Sequence, residues 1–331
     1  MERCQIAALK ERGDSPAQIA RQLNRHRSTI IRELRRNKSK DGYNGNQANI
    51  KAKQRRFRKP KKMIPSVIAT VEEKLKLQWS PEQISGRLKY EHQDLRVSHE
   101  TIYKHIWLDK RNGGLLSKQL RHSGKKYYRR SKGTSGRGCI PNRRDIDQRP
   151  EIANEKIRVG DWELDTIIGA GNNGVIVSMV DRHSKLTKLA KVMNKTAVSV
   201  KGGLLKKLGP DRNFVHTLTA DNGKEFAYHE EIAHALEADF FFAKPYHSWE
   251  RGLNEHTNGL VRQYLPKSTK FSDISQEQLD DIEILLNERP RRVLNFQTPL
   301  EVFQKWTNSV YEQARRIFLK ASRTTGLNNN A

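Results

Sequence analysis

Two cysteines in 331 residues, Cys4 and Cys139, are too few and too far apart for a disulfide framework or a four-cysteine zinc site. That scarcity fits a reducing compartment. No stretch approaches the roughly 18 uninterrupted apolar residues of a membrane-spanning helix, and Met1-Glu2-Arg3-Cys4-Gln5 lacks the apolar run of a secretory leader. Neither a membrane partner nor secretion is therefore expected. Acidic residues are scarce in one half only. Residues 1–150 hold 38 Lys and Arg against 14 Asp and Glu, a net +24, whereas 151–331 hold 25 against 23, a net +2. A basic excess so confined predicts a polyanion-binding surface, with nucleic acid the leading partner. An unspecialised basic protein would explain the charge but not its confinement. The near-neutral half suits an enzyme domain with its own acidic site. Hydrophobic residues, 35% of the chain, suffice for real cores, and the length predicts two or three domains.

Residues 3–36 predict three short helices. The first has an apolar stripe through Ile6 and Leu9 and ends at Gly13; the second runs Ser15 to Leu23 and the third Ser28 to Arg36. Ser15-Pro16 is an N-cap followed by proline at the first helical position. Ile30, Ile31 and Leu34 give the third helix a face for Ile19, Ala20 and Leu23, with Ser28 expected as its cap. Arg25, His26, Arg27, Ser28, Thr29 and Arg32 cluster near its start, where a recognition helix meets base edges. This is a helix-turn-helix pattern; a plain three-helix bundle with a solvated basic face is the alternative. Ser80-Pro81-Glu82-Gln83-Ile84 repeats Ser15-Pro16-Ala17-Gln18-Ile19, and each is followed by a leucine four residues after its isoleucine. A second unit is thus expected, with helices near 67–78, 81–89 and 98–107. Its Ser98 and Thr101 either reach DNA or merely start a helix. Lys51, Lys53, Arg55, Arg56, Arg58, Lys59, Lys61 and Lys62 predict a basic helix ending before Pro60. Lys125-Lys126-Tyr127-Tyr128-Arg129-Arg130 reads either as a phosphate-tracking stretch or as a solvated tether.

After Pro150 the pattern turns to strands. Trp162–Gly169, Val175–Asp181 and Leu186–Val192 predict a meander. A helix from Thr196 to Leu208, a strand His216–Ala220, a helix Lys224–Leu236, a strand Phe240–Ala243 and a helix Ser248–Leu265 follow. Three antiparallel strands and then alternating helices and strands make a mixed sheet of the ribonuclease H type. The expected fold class is multi-domain α plus α/β. Asp165 in the first strand, Asp221 past the fourth and Glu255 on the helix after the fifth stand where such a sheet can bring them together. Shared carboxylates can hold two Mg²⁺ ions about 3.5–4 Å apart for an in-line phosphoryl displacement. Glycine in Asp221-Asn222-Gly223 permits a tight turn. Glu255, Asn258 and Arg262 are spaced to share one helix face.

These residues resemble the DDE transposases and retroviral-type integrases, most closely the insertion-sequence thirty (IS-thirty) family. The resemblance rests on W-E-L-D-T at 162–166, A-D-N-G-K-E-F at 220–226 and P-Y-H-S-W-E-R-G-L-N-E-H-T-N-G-L-V-R-Q-Y-L-P-K at 245–267. It extends to the 33 residues between Asp221 and Glu255, to R-S-T-I-I-R-E-L-R-R-N at 27–37 and to I-D-Q-R-P at 146–150. The N-terminus lacks the His/Cys zinc module of retroviral integrases. The resemblance implies an enzyme that binds the terminal inverted repeats of its own element, frees a 3′-hydroxyl and joins it to another phosphodiester. It further implies double-stranded end and target DNA as partners, a homodimer or higher oligomer, a circular intermediate with abutted ends, two Mg²⁺ ions for which Mn²⁺ can substitute, and a prokaryotic cytoplasm, on the nucleoid. A non-catalytic DNA-binding regulator and a structure-selective nuclease on the same fold are the rival functions.

Asp161, Glu163 and Asp165 alternate and point to one side of a strand, so periodicity alone does not choose among them. Asp165 lies deepest in the apolar run and matches the family's first aspartate; Glu163 is an accessory candidate. Glu225 is expected to meet a helix dipole. Asn222 and Asn258 are candidates to position phosphates or brace carboxylates, and Arg262 is the phosphate candidate for its bidentate fork. His247 either contacts phosphate, orients a ligand or makes a structural hydrogen bond. Trp162 is expected to pack; Trp249 packs or stacks on an unpaired base. The expected organisation is a helix-turn-helix domain over 1–40, a basic linker over 41–65, a second helix-turn-helix-like domain over 66–120, a basic linker over 121–155, the catalytic domain over 156–310, and a helix and tail over 311–331.

Overall fold

The computed structural model describes residues 2–39, 42–58, 63–92, 95–121, 140–244, 247 and 252–326, without the side chains of 56–58 and 314–326. The expectations for Lys59, Lys61, Lys62, Lys125–Arg130 and Trp249 lie outside the described residues. The chain divides into two compact units, Met1–Ile64 and Pro65–Ala331.

In the first unit α1 (Glu2–Glu11), α2 (Pro16–Gln22) and α3 (Arg27–Asn37) close over Ile6, Ile19, Ala20 and Ile30. Ser15 begins α2 with a capping box: its Oγ accepts from the Gln18 amide, and Gln18 Oε1 accepts from the Ser15 amide at 2.8 Å. The cap of α3 is His26 rather than Ser28. The His26 ring accepts from the Ser28 amide at 3.2 Å, so the helix starts two residues earlier than a Ser28 cap would place it. The stretch expected as a linker over 41–65 carries α4 (Gly45–Arg58), which packs on α1 and α3. Gly45 allows this approach, because a Cβ there would lie 2.6 Å from the Arg3 carbonyl oxygen. Glu33 ties the elements, taking hydrogen bonds from Arg3, Asn37 and Tyr43. These donors hold its carboxyl below its ordinary range against the opposing effect of burial.

The second unit opens with α5 (Pro65–Lys76), α6 (Pro81–Glu91) and α7 (His99–Arg111), close to the predicted helices. Ser80 repeats the capping box with Gln83. The helix-turn-helix-like unit is docked on the rest of the unit through α6. Gln83 donates to the Pro290 carbonyl at 2.8 Å, and Arg87 donates to both carboxylate oxygens of Glu301 at 2.7 and 2.5 Å. A Cβ on Gly86 would lie 2.2 Å from the Phe296 ring. Gly86→Ala should therefore cost about 1–2 kcal/mol of stability, overpacking outweighing the roughly 1 kcal/mol a helix gains from alanine. Denaturant unfolding measures this; a stabilised variant would show that α6 does not seat against Phe296.

The sheet comprises β1 (Asp161–Ile168), β2 (Val175–Asp181), β3 (Thr187–Val192), β4 (Thr217–Ala220) and β5 (Asp239–Phe242), in the order β3-β2-β1-β4-β5. β1, β2 and β3 pair antiparallel, and β4 and β5 add in parallel to β1. This is the ribonuclease H-like sheet read from the strand order. On one face Trp162, Leu164, Leu218 and Ala220 pack among residues of α9 (Ala197–Leu208), α10 (His229–Leu236) and Phe303. On the other, Ile167, Ile176 and Leu189 pack with α11 (Gly252–Tyr264) and α12 (Gln276–Asn287).

Three expected boundaries move. Residues 140–155, expected within a linker, pack on the sheet: Ile140 and Ile146 are buried, Asp145 bridges to Phe242, and buried Arg149 donates to Thr219 Oγ1 at 3.0 Å. α8 (Glu151–Glu155) closes that stretch. The helix expected over Lys224–Leu236 is a 3₁₀ turn, Lys224–Phe226, and then α10. The last helix, α13 (Pro299–Gly326), starts before 311, because Phe303 near its start packs against Trp162 with centroids 6.4 Å apart.

Candidate active site and nucleic-acid interface

Alternation along β1 sends Asp161, Glu163 and Asp165 to the face covered by α11, and the structure separates their environments. Asp161 is buried; Arg158 grips both its oxygens, at 2.9 and 3.0 Å, and Thr217 Oγ1 donates to it at 2.8 Å. Glu163, also buried, is ion-paired with Arg182 at 2.6 Å and accepts from the Asn254 amide at 3.4 Å, in the first turn of α11. Half-buried Asp165 accepts from Asn258 Nδ2 at 2.7 Å and the Thr166 amide at 2.9 Å.

The parallel register pairs Asp161 with Thr217 and Glu163 with Thr219. Asp221 directly follows β4, and a continuation of that register by two residues would bring it level with Asp165. Asp221 Oδ1 accepts from the Gly223 amide at 3.0 Å, a turn that fixes the carboxylate as the strand ends. Gly223 itself has an ordinary φ of −73°. Glycine is needed there for room instead, because a Cβ would lie 2.3 Å from Glu225 Oε2.

α11 lies across β1 and β2. Asn258 bridges helix and sheet: while it donates to Asp165, its Oδ1 accepts from Ser178 Oγ at 2.9 Å, and Ser178 is the residue opposite Asp165 on β2. Sequence reasoning passed over Ser178. Its signal was present, since it is the one polar residue inside the buried run Val175–Val180. Glu255 stands on the exposed flank of α11, one turn before Asn258. Among the described residues no three His, Cys, Asp or Glu side chains are gathered closely enough to ligate one metal ion. Asp165 thus lies on β1, Asp221 directly follows β4, and Glu255 stands on the helix packed across β1.

Glu225 differs from expectation. It is buried, ion-paired with Lys195 at 2.7 Å and accepts from Thr166 Oγ1 at 3.1 Å, so it packs behind Asp165 instead of meeting a helix dipole. Asn222 joins strand ends, donating to the Ala243 carbonyl at 2.7 Å and accepting from Arg143. Arg262 turns away from the aspartates: it donates to the carbonyls of Ile168 and Pro266 and lies over the Phe271 ring at 5.1 Å. The backbone amide of His247 closes a turn on the Lys244 carbonyl at 3.2 Å. Trp162 is fully buried packing.

Comparison with known proteins settles the kinship of the whole chain. Residues 1–37 match the family model described as a helix-turn-helix domain. The transposase for insertion sequence element IS4351 of Bacteroides fragilis is 45% identical over 311 residues, covering 93% of this chain and 95% of that one. The chain belongs to the IS30 family of transposases. The transposase for IS1086 of Cupriavidus metallidurans is 41% identical, covering 91% of this chain and 92% of its own. Transposase InsI for IS30A of Escherichia coli is 37% identical, covering 87% and 78%. The protein is thus a DDE-type transposase, an enzyme of DNA transposition with a DNA-binding helix-turn-helix at its N-terminus. Among the described residues no helix is long and apolar enough to cross a membrane.

On the transposase's α3, Arg27, Thr29 and Arg32 are exposed and Ser28 is half-buried. Arg25 is ion-paired with Glu2 at 2.8 Å, and Arg32 folds back onto the Ser28 carbonyl and hydroxyl. Thr29, Arg32 and Arg36 share a face at helical spacing, which adds Arg36 to the candidates; a three-and-four count carried one turn further would have found it. On α7, Ser98 Oγ accepts from the Thr101 amide and meets Thr101 Oγ1 at 2.9 Å. Both hydroxyls serve helix initiation here, while Tyr103, Lys104 and Trp107 form its exposed side.

Proposed function

We propose that this transposase binds the terminal inverted repeats of its own element as a homodimer or higher oligomer, and that Asp165, Asp221 and Glu255 form the centre that cleaves and rejoins DNA. What supports this is the parallel pairing of β1, which carries Asp165, with β4, which ends immediately before Asp221, together with the packing of α11, which bears Glu255, across β1. Three carboxylates are a hard-oxygen donor set suited to Mg²⁺ or Mn²⁺. Two bound ions would stabilise the attacking and departing oxygens of a phosphoryl transfer. The chain's own part is positional. Asn258, braced by Ser178, orients the Asp165 carboxylate, the Gly223 amide orients Asp221, and the Glu163–Arg182 pair seats the start of α11. Arg27, Thr29, Arg32 and Arg36 on α3 are the proposed base and phosphate readers, working in a prokaryotic cytoplasm on the nucleoid.

A DNA fragment bearing both ends of the element, incubated with the full chain and Mg²⁺, tests this. Nicks that leave 3′-hydroxyls, followed by joined products, are expected. Salt-sensitive binding that leaves the fragment whole would make the protein a regulator. Cleavage indifferent to the ends, without joining, would make it a structure-selective nuclease.

A further inference from the structure

The connection between α12 and α13 turns two arginines inward. Arg289 is 2% and Arg291 9% exposed. Arg289 lies over the Tyr264 ring at 5.5 Å and donates to Gln263 Oε1 at 3.1 Å and to the Tyr264 hydroxyl. Arg291 donates to the Leu286 carbonyl at 2.9 Å. The Nε–H of each is buried with no hydrogen-bond partner. A third guanidinium comes from Arg121, half-buried beside α11: a Cβ on Gly259 would touch its Nη2 at 3.7 Å.

Among the described residues no carboxylate pairs with any of the three. Burial disfavours the charge of all three, and their mutual repulsion disfavours it further in Arg289 and Arg291. Elsewhere the fold treats a buried arginine differently, as Arg182 with Glu163 shows. Buried, unpaired positive charge is costly, and two unsatisfied donors add to the cost. A multivalent oxyanion held at half-buried Arg121 would offset the charge of the cluster.

Location selects the anion. His256, Gly259 and Gln263 follow one another at helical spacing on α11, on the face adjoining that of Glu255 and Asn258. We propose that Arg121, with Arg289 and Arg291 buried behind it and His256 at the rim, holds a backbone phosphate of the DNA close to the phosphodiester that reacts. The position relative to the reacting bond rests on the assignment of Glu255 above; the test reads binding and not cleavage, so either assignment can fail without the other.

Full-length protein without divalent ions is titrated with end-bearing duplexes over a salt series. Arg121→Ala should lower the slope of log K on log salt by about 0.9 and weaken binding about three- to tenfold, with Arg121→Lys restoring most of both. In the absence of DNA the alanine variant should melt higher than the parent, because one of three repelling charges is gone. Duplexes carrying a single neutral methylphosphonate at successive positions provide a readout on the parent itself: one position near the cleavage site should weaken the parent and leave Arg121→Ala indifferent. An unaltered salt slope, together with the same methylphosphonate profile in parent and variant, would overturn the proposal. Inorganic phosphate that raises the melting temperature of the parent alone, with DNA binding unchanged, would assign the site to a free anion and likewise overturn it.

Discussion

Asp165→Asn and Asp221→Asn are each expected to lose strand cleavage and joining by about a thousandfold or more while binding end DNA within about twofold of the parent. The magnitude follows from removing one shared anionic ligand: about 4 kcal/mol of transition-state charge stabilisation corresponds to three powers of ten. Retained binding follows from charge placement, since residues 1–150 carry +24 of the net +26. Asparagine preserves the size of the side chain and an acceptor for Asn258 or the Thr166 amide, so folding should persist. Glu255→Gln belongs to the same series. Nicking at the parental rate in any of the three would move that ligand elsewhere, with Glu225 the next carboxylate to consider because Thr166 links it to the neighbourhood of Asp165. Asn258→Ala provides a graded comparison: a reduced rate with Asp165 still present would identify it as a positioning residue.

Arg182→Ala should destabilise the second unit by about 3–5 kcal/mol, because it strands the Glu163 carboxylate in a site where both partners are nearly inaccessible, with side chains 4% and 2% exposed. For a unit of this size each kcal/mol corresponds to roughly 2–4 °C in melting temperature. The double replacement Glu163→Leu with Arg182→Met should recover most of the loss, since two apolar groups leave no unpaired charge. Calorimetry of the single and double variants forms the necessary cycle. Near-parental melting of Arg182→Ala would mean that the pair does not hold the strand and α11 together. Arg182 also donates to the Ala153 carbonyl at 3.0 Å, so α8 should loosen with it.

Several parts of this architecture were legible in the chain because one local rule dominated. Ser15-Pro16 and Ser80-Pro81 start helices wherever they stand, since the cap needs only its own Gln three residues on. Strands β1, β2 and β3 were legible from apolar runs closed by turn residues. Other positions were settled by distant partners. Glu225 precedes a helix in sequence, yet Lys195 and Thr166 draw it into the interior. Arg262 has the right spacing to face the aspartates, yet two carbonyls at the end of the sheet hold its fork. His26 displaced Ser28 as a cap because an imidazole nitrogen can accept an amide as well as a hydroxyl can. Arg289 and Arg291 are turned inward by tertiary structure, with no local pattern to announce it.

The repeated Ser-Pro-x-Gln-Ile unit has met two fates. In its second copy Gln83 caps its helix and also reaches Pro290, while Gly86, Arg87 and Tyr90 meet Phe296, Glu301 and Gln297. A helix committed on that side to scaffolding is no longer free to drift independently. Chimaeras between relatives should therefore tolerate exchange of residues 65–120 only when residues 288–301 travel with them, so that the two stretches are inherited as one cassette despite lying some two hundred positions apart in the gene product.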